Sequence, residues 1–169
     1  CASARRRYDE THAASGERAG GEEILTLGIG SRVLALYCAV WAGIVIGVSF
    51  IATIAKFGAP SLTLPVALDV GAHTFAVLAR IEWGLLALFA FLILVAGISR
   101  LRAVFFILLA AILLGEAFWL FPRLHARTVL VIAGQQLPPS PLHAISVAAE
   151  SSKVVLLALF AVIESRSRK

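Results

Sequence analysis

His143, Ser146, Glu150 and Lys153 follow one another at steps of three, four and three residues, just ahead of the uncharged run 154–163. On a helix these steps place all four side chains on one stripe. Such a row can hold a proton, an ion or a polar solute, or can knot helices together by hydrogen bonds. It does not suit a surface facing lipid, because a charge at the bilayer centre costs at least ~2.5–3.5 kcal/mol. Glu82 and Glu116 also lie in apolar surroundings. Counted at about 1.5 Å per residue from the expected outer interface, Glu116 lies about 7 Å deep, Glu150 about 10 Å and Lys153 about 15 Å. Glu82 falls at a similar depth, with Arg80 above it, and Lys56 closes the first apolar segment on the same face. The six residues Glu82, Glu116, His143, Ser146, Glu150 and Lys153 are therefore predicted to meet as a buried polar cluster. Two readings stand side by side: an ion, proton or solute site open to the outer face, or a structural knot that fixes helix register.

The histidines offer a second chemistry. His73, His125 and His143 all map to the outer side and, with a carboxylate, form a candidate copper or zinc set. His73 and His143 are also the only plausible pair of axial haem ligands, although both lie near the interface. There is no HxxxH and no Glu-x-x-His, which argues against a di-iron bundle. Ser151 and Ser152 beside Lys153 are a loose echo of a Ser–Lys nucleophile, better read as helix-packing serines, and there is no GxSxG. "GIGSR" (28–32) lacks the lysine and spacing of a phosphate-binding loop. No catalytic motif is evident.

The elements that must position these groups are transmembrane helices. The chain of 169 residues is 60% hydrophobic, with a mean hydropathy of +0.92. Its apolar residues come in blocks of bilayer-spanning length, about 20 residues each. The expected fold is an all-α integral membrane four-helix bundle, with helices at about 32–56, 68–98, 102–121 and 142–164. Residues 1–24 are polar, rich in small residues and charged, and are expected to form a flexible tail on a 25–169 transmembrane domain. Pro122 should end or kink the third helix, leaving a long connection with an interfacial amphipathic turn around Val129 to Ala133. Ala35, Ala39, Gly43 and Gly47 recur at intervals of four in the first helix. This small-residue strip allows close helix approach, either within the bundle or against a partner chain. Trp83, Trp119 and Phe121 fall near the outer interface, where such rings settle, whereas Trp41 lies deeper and packs.

The net charge of +5 does not point to nucleic acid, because the basic residues flank apolar segments as topology signals do. Arg5, Arg6, Arg7, Arg18, Arg32, Arg100, Arg102, Arg166, Arg168 and Lys169 share one face, against Lys56, Arg123 and Arg127 in the loops of the other. Both termini are thus expected in the cytoplasm, or in the matrix of a mitochondrion; the membrane would be a bacterial or mitochondrial inner membrane. Cys38 lies within the first helix as a packing residue. Cys1 is compatible with a mature lipoprotein or with trimming, and no methionine occurs.

Three stretches carry a family likeness: "WAGIVIGVSFIATIAKF" (41–57), "FPRLHAR" (121–127) and "LHAISVAAESSKVVLLAL" (142–159). With its small-residue first helix and the LH of its fourth, the chain resembles the small four-helix bacterial membrane proteins of the uncharacterised DUF4149 and copper-resistance-D-like type. Copper transport is what analogy with that wider group implies. The chain lacks methionine-rich or histidine-rich ligands, so that activity is not carried over. The leading expectation is an accessory or structural subunit of a larger membrane complex, in contact with lipid and with other subunits or copies of itself. The alternatives are a small transporter or ion-coupled protein built on the Glu/Lys cluster, and a haem- or metal-binding redox protein.

Overall fold

The computed structural model describes residues 29–166; the polar tail expected at 1–24 lies outside the described residues. All regular structure among the described residues is helical. Four helices are long and apolar enough to cross a membrane: α1 Ile29–Phe57, α2 Leu64–Ala96, α3 Arg100–Ile132 and α4 Leu142–Arg166. α2 and α3 have 33 residues each, about 50 Å, and so exceed a hydrocarbon core of about 30 Å.

Local chemistry sets the ends. Pro65 stands in the first turn of α2, where its missing N–H costs nothing. Gly97, with φ +91°, ends that helix in a backbone region that disfavours other residues. Ser99 then caps α3, its hydroxyl accepting from the Arg102 N–H at 3.3 Å. At the far end of α3, Gly134 has φ +84°, and the Gln135 N–H reaches back to the Leu130 carbonyl at 3.1 Å.

Each helix turns one stripe inward. On α1 the stripe is Ser31, Leu34, Cys38, Trp41, Val45 and Ser49; on α4 it is Ser146, Glu150, Lys153, Leu157, Phe160 and Glu164. These steps of three and four suit left-handed bundle packing. Phe89 of α2 is the centre of the core, with Phe160 edge-on at 5.2 Å and Tyr37 stacked at 6.1 Å. The outside is apolar: Leu36, Ile54, Phe91, Leu94, Val95, Ile107 and Phe118 are all exposed. No more than 33% of the most apolar stretch of any helix is buried. A bundle with charges inside and aliphatic residues outside matches a lipid solvent.

Two expectations are corrected. The third helix does not stop near residue 121 but runs on to Ile132, and Val129 to Ala133 form its last turn rather than a separate interfacial one. The reason is a π-helical segment, Glu116–Leu120, in which the Phe121 N–H bonds to the Glu116 carbonyl five residues back. The widened turn lets the helix pass the missing N–H of Pro122 without breaking. For the small-residue strip, the within-bundle alternative finds no support at Ala39 and Gly43. Ala39 and Gly43 are exposed, Ala35 and Gly47 are half-buried, and a Cβ on either glycine would meet nothing within 4 Å. The strip is offset by one residue from the inward stripe. Close approach of α1 and α2 occurs instead at Gly30, where a Cβ would lie 2.9 Å from that of Ala96.

Candidate functional site

Lys153 is fully buried and its ammonium is the hub of the interior. Nζ donates to both carboxylate oxygens of Glu82, each at 2.9 Å, and to Glu116 Oε2 at 2.9 Å. Glu150, one turn earlier on α4, brings Oε2 to 3.1 Å from Nζ, an ion contact that closes no aligned hydrogen bond. The site thus joins α2, α3 and α4, and its residues are between 0 and 2% exposed. One oxygen from each of Glu82, Glu116 and Glu150 lies within 4.8 Å of the others. The lysine ammonium stands among them, as a bound cation would.

Several polar atoms remain without partners. Glu116 Oε1 and both Glu150 oxygens are buried and accept no hydrogen bond. From α1, the indole of Trp41 bears on Glu82 without closing a hydrogen bond of normal geometry, and Ser49 Oγ is likewise unpaired. Native interiors satisfy most such groups, so the concentration of unpaired oxygens at Glu116 and Glu150 calls for a physical cause. Charge supplies one. A lone ammonium opposes three carboxyl groups, and two negative charges would remain if all were ionised. At close range in a poorly polarisable interior such an excess is strongly unfavourable. The arrangement has room for added positive charge, as protons or as a cation.

Of the expected cluster, the structure brings together Glu82, Glu116, Glu150 and Lys153. Ser146 is buried one turn before Glu150. His143 stays out: it is exposed in the first turn of α4, beyond the point where the other helices cover that face. His73 and His125 are exposed too, and His73 Nδ1 is engaged by the Asp69 carbonyl at 3.0 Å on its own helix. The suggested metal set His73, His125 and His143 is therefore not assembled. Among the described residues, the group of His, Cys, Asp and Glu close enough to share an ion is the glutamate triad.

The sequence reading missed a second polar constellation, at the opposite end of the bundle. Arg102 clamps Glu164 with two bonds, Nε to Oε1 at 2.8 Å and Nη2 to Oε2 at 2.9 Å. Its remaining donors reach Ser31 Oγ at 3.0 Å and the carbonyls of Ala96 and Gly97 at 2.7 and 2.6 Å. All four helices, or their ends, converge on this guanidinium, so the described chain begins and ends at one end of the bundle. The signal was present in the inward stripe of α4: two further steps from Leu157 lead to Phe160 and Glu164. Arg102 itself reads as an ordinary topology charge.

In comparisons with known proteins, no family model, no curated protein and no solved structure matches this chain.

Proposed function

We propose that this chain is an integral membrane protein that binds a proton or small cation at Glu82, Glu116 and Glu150, as an ion-coupled transporter does. One observation carries the reading: a single buried ammonium faces three buried carboxyl groups, with the oxygens of Glu150 and one of Glu116 left without hydrogen bonds. A purely structural knot gains nothing from surplus carboxyls, since an apolar residue of similar volume packs without the desolvation cost. Ionisable residues inside a membrane are costly and mark functional sites by default, ion and proton routes among them.

Orientation follows from the flanking charges. Arg32, Arg100, Arg102 and Arg166 lie at the end where the described chain begins and finishes, with further arginines in the adjoining sequence. That end belongs on the cytoplasmic side of a bacterial inner membrane, or on the matrix side in a mitochondrion. The decisive experiment is a pH or cation titration of the purified protein, read by the infrared signal of its carboxyl groups. Glu150→Gln and Glu116→Gln should each remove part of that signal. An unchanged signal in both variants, with folding intact, would overturn the reading.

A second reading is an accessory subunit of a membrane complex. It is favoured by the outward small-residue strip at Ala39 and Gly43, which the chain itself does not cover. Mild solubilisation from the native membrane tests it, and migration solely as a free monomer would count against it.

A further inference from the structure

The proposal that follows rests on the reading of the triad as a proton or cation site. We infer that the exchanged ligand is the proton, and that it reaches the triad from one end of the bundle only, the end where α1 finishes and α4 begins. The place between the three carboxyl groups that a metal ion would occupy is held by Lys153 Nζ, 2.9 to 3.1 Å from each. The oxygens that accept from that ammonium, two of Glu82 and one of Glu116, all belong to the triad, so a metal would have to evict a lysine into apolar surroundings. A proton needs no such space. Glu116 Oε1 and the Glu150 oxygens lie unpaired beside the ammonium to receive it. The polar and titratable groups facing this point are Glu82 from α2, Glu116 from α3, Glu150 and Lys153 from α4, and the indole of Trp41 from α1, with Cys38 one turn below.

The two directions away from the triad differ in chemistry. Toward the α4 start, Val45, Leu78 and Leu120 are buried one turn past Trp41, Glu82 and Glu116, but hydroxyls stand among them: Ser146 lies one turn from Glu150, and Ser49 lies about two turns beyond Trp41 with its hydroxyl unpaired. Hydroxyls both donate and accept, so they can pass a proton between waters and a carboxyl. Toward the Arg102 end, the interior is closed by Leu86, Phe89, Leu113, Leu157 and Phe160. Phe89 and Phe160 meet at 5.2 Å, and Phe105 covers Phe160 at 5.2 Å. The Tyr37 hydroxyl, which could otherwise relay, is spent on the Leu85 carbonyl at 2.6 Å. Below this plug the Arg102 clamp ties the helix ends together, engaging Nε, Nη1 and Nη2. Between triad and clamp, no buried side chain among the described residues is charged.

The test uses the full chain in liposomes, with orientation scored by access to a tag on the end of the chain. A pH step is applied to one compartment at a time while the carboxylic-acid C=O infrared band is followed. A step on the α4-start side should change the band directly. A step on the Arg102 side should produce no change until an uncoupler equalises the compartments. Ser146→Ala should slow the first response without reducing its final amplitude. Phe160→Ala, which opens the plug, should create a response from the Arg102 side. Equal responses from both sides in the unaltered protein overturn one-sided access and leave proton binding intact. A band that follows sodium or calcium at constant pH overturns the proton as ligand. A band that follows neither pH nor cations from either side overturns the binding reading itself.

Discussion

Arg102 and Glu164, 62 residues apart in sequence, meet in a two-bonded pair at 2.8 and 2.9 Å with side-chain exposures of 11% and 4%. The pair closes the end of the bundle opposite the glutamate triad. Because it is nearly buried, its geometry rather than its charge alone decides its worth. Removing one partner leaves the other desolvated and unpaired. Glu164→Ala and Arg102→Ala should each destabilise the fold by about 3 kcal/mol. Arg102→Lys should fall between these and the native chain, since an ammonium cannot reproduce the fork that also reaches the Ala96 and Gly97 carbonyls. Thermal unfolding in a mild detergent ranks the variants, and a double-mutant cycle isolates the pair's coupling.

Lys153 gives a sharper test of the interior. Lys153→Met keeps much of the volume but strips three buried carboxyl groups of their common cation. We expect this variant to lose most folded protein, a penalty in the range of about 3–5 kcal/mol for breaking a buried pair. Adding Glu82→Gln, Glu116→Gln and Glu150→Gln to Lys153→Met should restore folding, because no uncompensated charge remains. The yield of monodisperse protein after solubilisation reads both effects. Full folding of Lys153→Met by itself would show that the carboxyl groups do not depend on the ammonium.

How far these features can be read from sequence depends on periodicity. Four apolar blocks declare four helices, and the steps from Ser146 to Lys153 declare an inward polar stripe. Glu82 and Glu116 could be matched to it by depth alone, since helical rise is regular. Three things were not legible. His143 obeys the same spacing as Ser146, yet lies where the bundle no longer covers α4, and coverage is a property of the neighbours. The continuation of α3 through Pro122 needed the widened turn at Glu116–Leu120, which leaves no mark in composition. The inward stripe of α4 leads on to Glu164, but its pairing with Arg102 was hidden, because Arg102 lies on another helix and reads as an ordinary flanking charge.

The π segment yields its own prediction. Such a turn accommodates one extra residue without rotating the helix on either side. Deleting Ala117, which lies inside Glu116–Leu120, should let α3 revert to a regular α-helix and keep the faces before and after it in phase. Deleting Ile107, in the regular part of the same helix, should rotate one part against the other by about 100°, turning either Leu109 and Glu116 or the helix start away from their partners. The first deletion keeps the faces in phase but returns Pro122 to a regular helical ladder, at a cost of about 3 kcal/mol, so it is expected to lower the yield of folded protein, whereas the second is expected to abolish it, as measured by detergent-stable yield.

Gly30 and Gly43 both lie on α1 and make opposite demands. At Gly30 a Cβ would stand 2.9 Å from Ala96 Cβ and 3.3 Å from its Cα, so a larger residue must push α1 and α2 apart. At Gly43 a Cβ would meet nothing within 4 Å. Gly30→Leu should therefore lower the stability of the isolated chain by about 1–3 kcal/mol, the usual cost of overpacking. Gly43→Leu should leave that stability unchanged, and its small effect on helix propensity is in the stabilising direction. In the membrane the second substitution has a different consequence. If the outward strip receives a neighbouring helix, a leucine at Gly43 blocks backbone approach and removes the association. Cross-linking in native membranes, set beside detergent unfolding of the same two variants, separates the effects. Loss of cross-linked partner in Gly43→Leu with an unmoved unfolding midpoint marks the strip as an intermolecular surface, whereas a lowered midpoint would place it in the chain's own packing.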